Sequence, residues 1–132
     1  MKIIKNEIYE ELIIRQKHAR YQQKKINIET RRISAFFVAI PEEVQNFAMD
    51  LIERAAFMLV TLKDLEKDIN ENGTVELFVQ NSISKYDRER PAIKIYNVAI
   101  KNYSQVMKQL LELLPEERQT EAKDELMEFL GK

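Results

Sequence analysis

The sequence contains no cysteine, no tryptophan and a single histidine. Without cysteine the chain has no disulfide, no thiolate metal ligand and no thiol nucleophile, a composition typical of proteins in a reducing cytoplasm. His18 lies in a charged stretch and has no second histidine with which to form a common zinc site. The composition therefore predicts a cytoplasmic protein that binds no metal.

Glycines and long apolar runs are also scarce. Gly73 and Gly131 are the two glycines, whereas a Walker loop or a dinucleotide fingerprint needs several, so we expect no nucleotide cofactor. No stretch approaches the roughly 18 apolar residues that cross a membrane, and charged residues stand where a signal peptide would be apolar. We expect a soluble, unexported protein that needs no cofactor and does not contact a membrane.

No set of residues typical of catalysis is present. Given its single histidine, the chain has no serine–histidine–acid set that spacing could bring together, and carboxylates such as Glu53 and Asp64 lie among lysines on polar helical faces. We therefore predict that the protein is not an enzyme.

The net charge of −1 conceals two oppositely charged parts. Residues 1–32 contain nine basic and four acidic residues, while the remaining 100 contain 12 basic and 18 acidic residues. This asymmetry predicts a basic segment for a polyanion and an acidic body for other contacts.

Two heptad patterns of apolar residues, here called seam 1 and seam 2, dominate the middle of the chain. Seam 1 comprises Val44, Ala48, Leu51, Ala55, Met58, Leu62, Leu65 and Ile69, and seam 2 comprises Ala92, Tyr96, Ala99, Tyr103, Val106, Leu110 and Leu113. A sustained period of 3.5 residues favours two helices that face each other. The pattern predicts an all-α fold built on a long antiparallel helical hairpin; two core faces of an ordinary bundle would give the same pattern.

Further apolar residues lie off the two seams, so a second covering surface is expected. We expect self-association through these positions, which are Phe57, Val60, Ile93, Ile100 and Met107.

Local signals place the ends of the two long helices. Pro41 and Pro91 suit the first position of a helix, Gly73 suits a left-handed cap after the first helix at about residue 71, and Pro115 ends the second helix. Between them, alternating residues from Thr74 to Val79 and the turn at residues 81–82 predict a small β-hairpin or ordered loop at the tip.

Shorter helices are expected at both termini. Residues 3–25 have a helical apolar pattern, residues 26–40 could be a short helix or a packed connector, and residues 116–130 form an acidic helix that could cap the bundle or dock on a partner. The predicted organisation is a basic N-terminal segment (1–40), a helical-hairpin oligomerisation core (41–115) and an acidic C-terminal helix (116–132).

The basic segment is the candidate DNA-binding arm. Tyr21 lies among the basic residues Arg20, Lys24 and Lys25, an arrangement that suits phosphate contacts beside an aromatic ring. A solvated helix end would have the same composition. The candidate DNA-binding residues are Arg15, Lys17, Arg20, Lys24, Lys25, Arg31 and Arg32.

About half of the chain, from Ala55 to Pro115, resembles the small subunit of phage terminases. The resemblance rests on Asn72-Gly73 after one helix, on Pro91-Ala92 opening the next, and on the stretches at 93–97, 100–103, 108–110 and 113–115.

This resemblance implies a non-catalytic, ring-forming homo-oligomer in the host cell cytoplasm. Such a protein binds viral double-stranded DNA and delivers it to the terminase large subunit, which carries the ATPase and nuclease of the DNA packaging machine. The alternative is a helical coiled-coil adaptor or regulatory module that does not bind DNA.

Overall fold

A computed structural model describes residues 2–130, with the side chains of residues 4–128. This part of the chain is mostly helical, with four helices and one two-stranded antiparallel sheet. The elements in order are α1 (Lys2–Phe36), a 3₁₀ turn (Glu42–Val44), α2 (Gln45–Asn72), β1 (Val75–Val79), β2 (Lys85–Glu89), α3 (Pro91–Glu112) and α4 (Glu116–Leu130).

Helix α1 differs most from the expectation. It is one continuous helix of 35 residues and is longer than the 28-residue α2, so the N-terminal helix is not a shorter one followed by a connector. Ile26 is half-buried and Ile33 is buried one heptad later, which puts both on one helical face against the core. Burial of that face stabilises the helical conformation from residue 26 to the end of α1, where the local sequence pattern is ambiguous.

The prolines mark the boundaries as expected, with one shift. Pro91 is the first residue of α3, where its missing N–H group leaves no hydrogen bond unmade, and Pro115 separates α3 from α4. Pro41 instead precedes the 3₁₀ turn, so that α2 begins at Gln45.

The predicted β-hairpin is confirmed. Its strands pair from Val75 opposite Glu89 to Val79 opposite Lys85. In the turn, the Asn81 side chain accepts hydrogen bonds from the backbone N–H groups of Ile83 (2.8 Å) and Ser84 (2.7 Å), as asparagine commonly does in turns.

Gly73 ends α2 in a conformation other than the expected left-handed cap. Its N–H group donates to the carbonyl of Ile69 (2.7 Å), but its φ of +80° is combined with a ψ of −169°. That combination is essentially restricted to glycine, and it directs the chain out of the helix into β1.

The hydrophobic core combines all three predicted segments of the chain. Every residue of seam 1 and seam 2 is buried or half-buried. Ile33 and Phe37 of the N-terminal segment and Leu126 of α4 belong to the same cluster. Because α1 and α4 both contribute, the core is that of a helical bundle and is not limited to two helices.

Side-chain contacts show how the helices are oriented relative to one another. Lys25 of α1 lies beside Asp64 of α2, and Ser34 lies beside Met49, so α1 and α2 are antiparallel. At the other junction, Arg90 before α3 binds Asp68 of α2 through two hydrogen bonds of 2.9 and 2.8 Å. The start of α3 therefore lies beside the end of α2.

Helix α1 extends beyond its contacts with α2. Every side chain from Ile4 to Arg20 is exposed, and Gln22 is the first residue whose side chain hydrogen-bonds to α2. At about 1.5 Å per residue this exposed part is about 25 Å long. Across the described residues, no helix has the length and apolar character that a membrane span requires.

Candidate nucleic-acid interface

The seven basic residues predicted to bind DNA all lie on α1, where the structure divides them into two groups. The first group is already paired with carboxylates. Arg15 pairs with Glu11 (2.6 Å), Lys25 with Asp64 (3.7 Å) and Arg32 with Glu29 (3.2 Å). A phosphate would have to compete with these carboxylates for the three cations.

The second group comprises Lys17, Arg20, Lys24 and Arg31, here called the basic stripe. All four side chains are exposed, and none forms an ion pair with a residue that the structure describes. Their spacings of three, four and seven residues put them on one helical face. Lys17 and Arg31 are about 21 Å apart along the axis at 1.5 Å per residue.

The basic stripe faces away from the core. Ile33 is buried, and it lies 16 residues after Lys17, which at about 100° per residue is close to the opposite side of the helix. The only acidic residue between Arg15 and Arg32 is Glu29, which is buried and binds Arg32 together with Lys63 (3.4 Å). Positive charge on the stripe is therefore not offset by a carboxylate on the same face.

Polar side chains border the stripe. Gln23 donates to Asn27 (2.9 Å), and both are exposed. Tyr21 is exposed as well, and the Lys25 ammonium lies 4.4 Å from its ring centroid, a cation–π distance. The arrangement is chemically suited to binding an extended polyanion through several cations along one helix.

The basic residues of the β-hairpin region are less available for phosphate contacts than those of the basic stripe. Arg88 binds Glu76 (2.7 Å) and stacks on Phe78 at 3.8 Å, while Arg90 binds Asp68 and the carbonyl of Gly73 (2.9 Å). Of the three basic residues in this segment, Lys85 is exposed and has no ion pair with a described residue. The candidate interface is therefore the stripe on α1.

The five predicted oligomerisation residues differ in how much of each side chain is exposed. Phe57 is exposed, and Ile93 and Ile100 are half-buried. Val60 and Met107 are buried in this chain's own structure, at 5% and 4% exposure, so their side chains are not on the surface. Val60 lines one cavity with Ile28 and Glu29 of α1, and Met107 lines another with Leu126 of α4, neighbours that no helical period reveals.

Sequence reasoning also missed a polar cluster on α1, α2 and α3 in which Glu29 and Tyr103 are buried. Glu29, Lys63 and Arg32 form its ion pairs. Burial, followed by the charge of Glu29, raises the pKa of Tyr103 to about 12. No sequence signal brings these residues together, because they are up to 74 positions apart.

Within the described residues, no group of three or more histidine or acidic side chains is arranged to hold a metal ion. His18 is exposed, with its ring 3.5 Å from the Gln22 side chain. No protein-family model, curated protein or solved structure matches this chain.

Proposed function

We propose that this protein is a non-catalytic, oligomeric DNA-binding protein that acts as a phage terminase small subunit. In this role it binds viral double-stranded DNA and recruits or regulates the terminase large subunit. The basic stripe is the single observation that carries the DNA-binding part, because its four cations are exposed, unpaired with described carboxylates and aligned. The resemblance of residues 55–115 supports the terminase part.

Binding to the stripe would consist mainly of phosphate contacts. Each phosphate that is neutralised releases condensed counterions, so log affinity falls with log salt at a slope of about −0.9 per contact. Four cations on one copy set an upper limit of about −3.6 for that copy by the same relation. Several linked copies would give a steeper dependence.

The proposal assigns self-association to the core of residues 41–115, in which α2 and α3 form the long helical hairpin of a ring. Phe57 supports this assignment because 59% of this large apolar side chain is exposed on α2. Exposed carboxylates of α4, including Glu117, Asp124 and Glu128, provide an acidic surface for the large subunit.

The decisive experiment measures duplex DNA binding by fluorescence anisotropy over a series of salt concentrations. The test variant replaces Lys17, Lys24 and Arg31 with alanine, and the control replaces Lys94, Lys101 and Lys108 of α3. Both variants remove three exposed cations at seven-residue spacing, so they have the same net charge and the same periodicity.

We expect the test variant to bind more weakly and to flatten the salt slope by about 0.9 for each phosphate that the stripe no longer neutralises. The control should keep the parent slope. If both variants reduce binding equally, the effect is one of net charge. If neither does, α1 does not bind DNA.

Self-association is tested separately by light scattering. We expect Phe57→Glu to lower the oligomer mass while the helical circular dichroism is unchanged. Met127→Glu is the control, since Met127 is also exposed but lies on α4. An unchanged mass for Phe57→Glu would exclude this face of α2 from the oligomer.

One observation favours a second function, that of a helical adaptor without DNA binding. The exposed part of α1 carries large apolar side chains that suit a helical partner, among them Tyr9 and Ile14. An adaptor would show no salt-dependent DNA binding in the experiment above, and the stripe would then be a solvated helix face.

A further inference from the structure

The N-terminal half of α1, residues 4–20, is here called the α1 arm. No described residue packs against it closely enough to bury any of its side chains. It nevertheless carries three large aliphatic residues at four-residue spacing: Ile4, Ile8 and Leu12, with exposures of 60%, 52% and 48%. A helical segment of this length is only marginally stable alone in water, so a contact along it would stabilise it.

These three residues, here called the arm face, continue the side of α1 that packs in the core. Ile8 precedes the half-buried Ile26 by 18 residues, which is about five full helical turns. Beyond residue 22, this side of α1 is covered by α2. On the arm the same side has the character of a packing surface but is exposed.

Charges on the arm define what can cover it. Glu11 and Arg15 lie next to the arm face, one turn apart, and pair with each other at 2.6 Å while both remain exposed. Residues 4–12 contain one lysine and three glutamates, whereas residues 14–22 contain three basic residues and no acidic one. The arm is thus acidic toward its start and basic toward its end.

We propose that the arm face docks on the arm of a second copy of this chain, with the two arms antiparallel and centred near Ile13, so that Leu12 meets its counterpart and Ile8 lies against Ala19 of the other arm. This arrangement places Glu11 of each copy opposite Arg15 of the other, and it places each acidic half along a basic half. A parallel pair would instead put like charges opposite each other. The antiparallel contact is symmetric and closes as a dimer.

The pairing is compatible with the basic stripe but does not depend on it. Lys17 follows Ile8 by nine residues, which is half a turn beyond two full turns, so it lies on the opposite side of the helix. Pairing through the arm face therefore leaves the stripe exposed. Dimerisation can be measured without DNA, so it succeeds or fails independently of the proposed function.

The first test is sedimentation equilibrium of the full chain. Ile8→Glu is compared with Ile13→Glu, since both residues are isoleucines of the arm with nearly equal exposure, 52% and 49%, on different sides of the helix. We expect Ile8→Glu to raise the dimer dissociation constant by at least about tenfold and Ile13→Glu to change it little. Each substitution is also combined with Phe57→Glu, so that dimerisation through the arm is measured without any oligomer formed through α2.

The second test uses the absence of cysteine in the chain. In an antiparallel pair, only positions near the midpoint meet their own counterpart. Leu12→Cys should therefore form a disulfide-linked dimer under mild oxidation, and Ile4→Cys should not. A mixture of Ile8→Cys and Ala19→Cys proteins should cross-link to each other, because these positions are nearly equidistant from Ile13.

The third test separates contacts between copies from the ion pair within one copy. Glu11→Arg and Arg15→Glu each place like charges opposite each other in a homodimer, so each should dimerise more weakly than the parent. A mixture of the two should recover dimerisation, although neither copy regains its internal pair.

Three outcomes overturn the proposal. The first is equal dissociation constants for Ile8→Glu and Ile13→Glu. The second is self-cross-linking of Ile4→Cys as efficient as that of Leu12→Cys, which indicates parallel arms. The third is a wild-type chain that stays monomeric at tens of micromolar while it binds vesicles of anionic phospholipid through the arm, which would assign the arm face to a membrane surface.

Discussion

Replacing Tyr103 with phenylalanine is expected to stabilise the protein. Tyr103 is 6% exposed, and its hydroxyl group has no hydrogen-bond partner among the residues that the structure describes. The substitution removes this one oxygen and keeps the ring in the cluster with Met107 and Leu110. It thus isolates the free-energy cost of burying a polar group without a partner.

The expected magnitude follows from that cost. A buried hydroxyl that makes no hydrogen bond destabilises the folded state by about 1–3 kcal/mol, and loss of its small volume leaves little empty space. We expect the free energy of unfolding to rise by about 1 kcal/mol or more. For a chain of this size, 1 kcal/mol corresponds to an increase in melting temperature of about 3–5 °C.

Urea unfolding followed by circular dichroism measures the change, with Tyr96→Phe as the matched control. The Tyr96 hydroxyl donates to the Glu66 carboxylate (2.9 Å) on the protein surface. Its loss should therefore destabilise the chain, by about 0.5–1.5 kcal/mol. If Tyr103→Phe destabilises the chain as much as Tyr96→Phe, the Tyr103 hydroxyl is hydrogen-bonded in solution and the reasoning is wrong.

Alkaline pH gives a second measurement on the same residue. Burial, with a smaller contribution from the charge of Glu29, raises the pKa of Tyr103 to about 12, above its ordinary value of 10.0. The neutral phenol therefore contributes stability that is complete below pH 10 and is lost as pH rises toward 12. Tyr103→Phe should remove this loss, which unfolding measured between these pH values would detect.

Three further predictions concern single contacts. Gly73→Ala should cost about 1–3 kcal/mol in urea unfolding, because φ is +80° there, although an added Cβ meets no atom within 4 Å. Leu126→Ala should cost about 2–4 kcal/mol because Leu126 is buried, while Met127→Ala, at an exposed position, should change stability by less than about 0.5 kcal/mol. Hydrogen bonds from Arg90 and then Asn72 lower the pKa of Asp68 from its usual 3.8. The ionised carboxylate therefore contributes stability above that pH, and this contribution is lost as the pH falls through the folded-state pKa. In Asp68→Asn, the free energy of unfolding should depend less on pH in this range.

The Leu126 prediction concerns the acidic helix of residues 116–130, for which the sequence left two roles open, capping the bundle or docking on a partner. The acidic composition of this stretch suggested a docking helix. In the structure Leu126 belongs to the core cluster and Ala122 packs against it. The apolar residues near the end of this helix do not show from the sequence alone whether they pack on the rest of the chain or on a partner, because that depends on the helices beside them.

The sequence was most informative where local chemistry dictates the backbone. Pro91 and Pro115 fixed helix boundaries, residues 74–86 predicted the β-hairpin, and the two seams identified positions that are all buried or half-buried. These features depend on the dihedral angles of proline, on turn chemistry and on helical periodicity, each of which acts within a few residues.

Tertiary structure decided which of the remaining apolar and charged residues are available on the surface. Val60 and Met107 have the same helical spacing as surface candidates, but α1 and α4 cover them, whereas Phe57 stays exposed. Likewise, of the seven basic residues predicted to bind DNA, three pair with carboxylates and four form no ion pair with a residue that the structure describes. The sequence determined the faces of α2 and α3 because periodicity is local. The full length of α1, and which face of each helix meets another helix, depend on side chains dozens of residues away that only packing brings together.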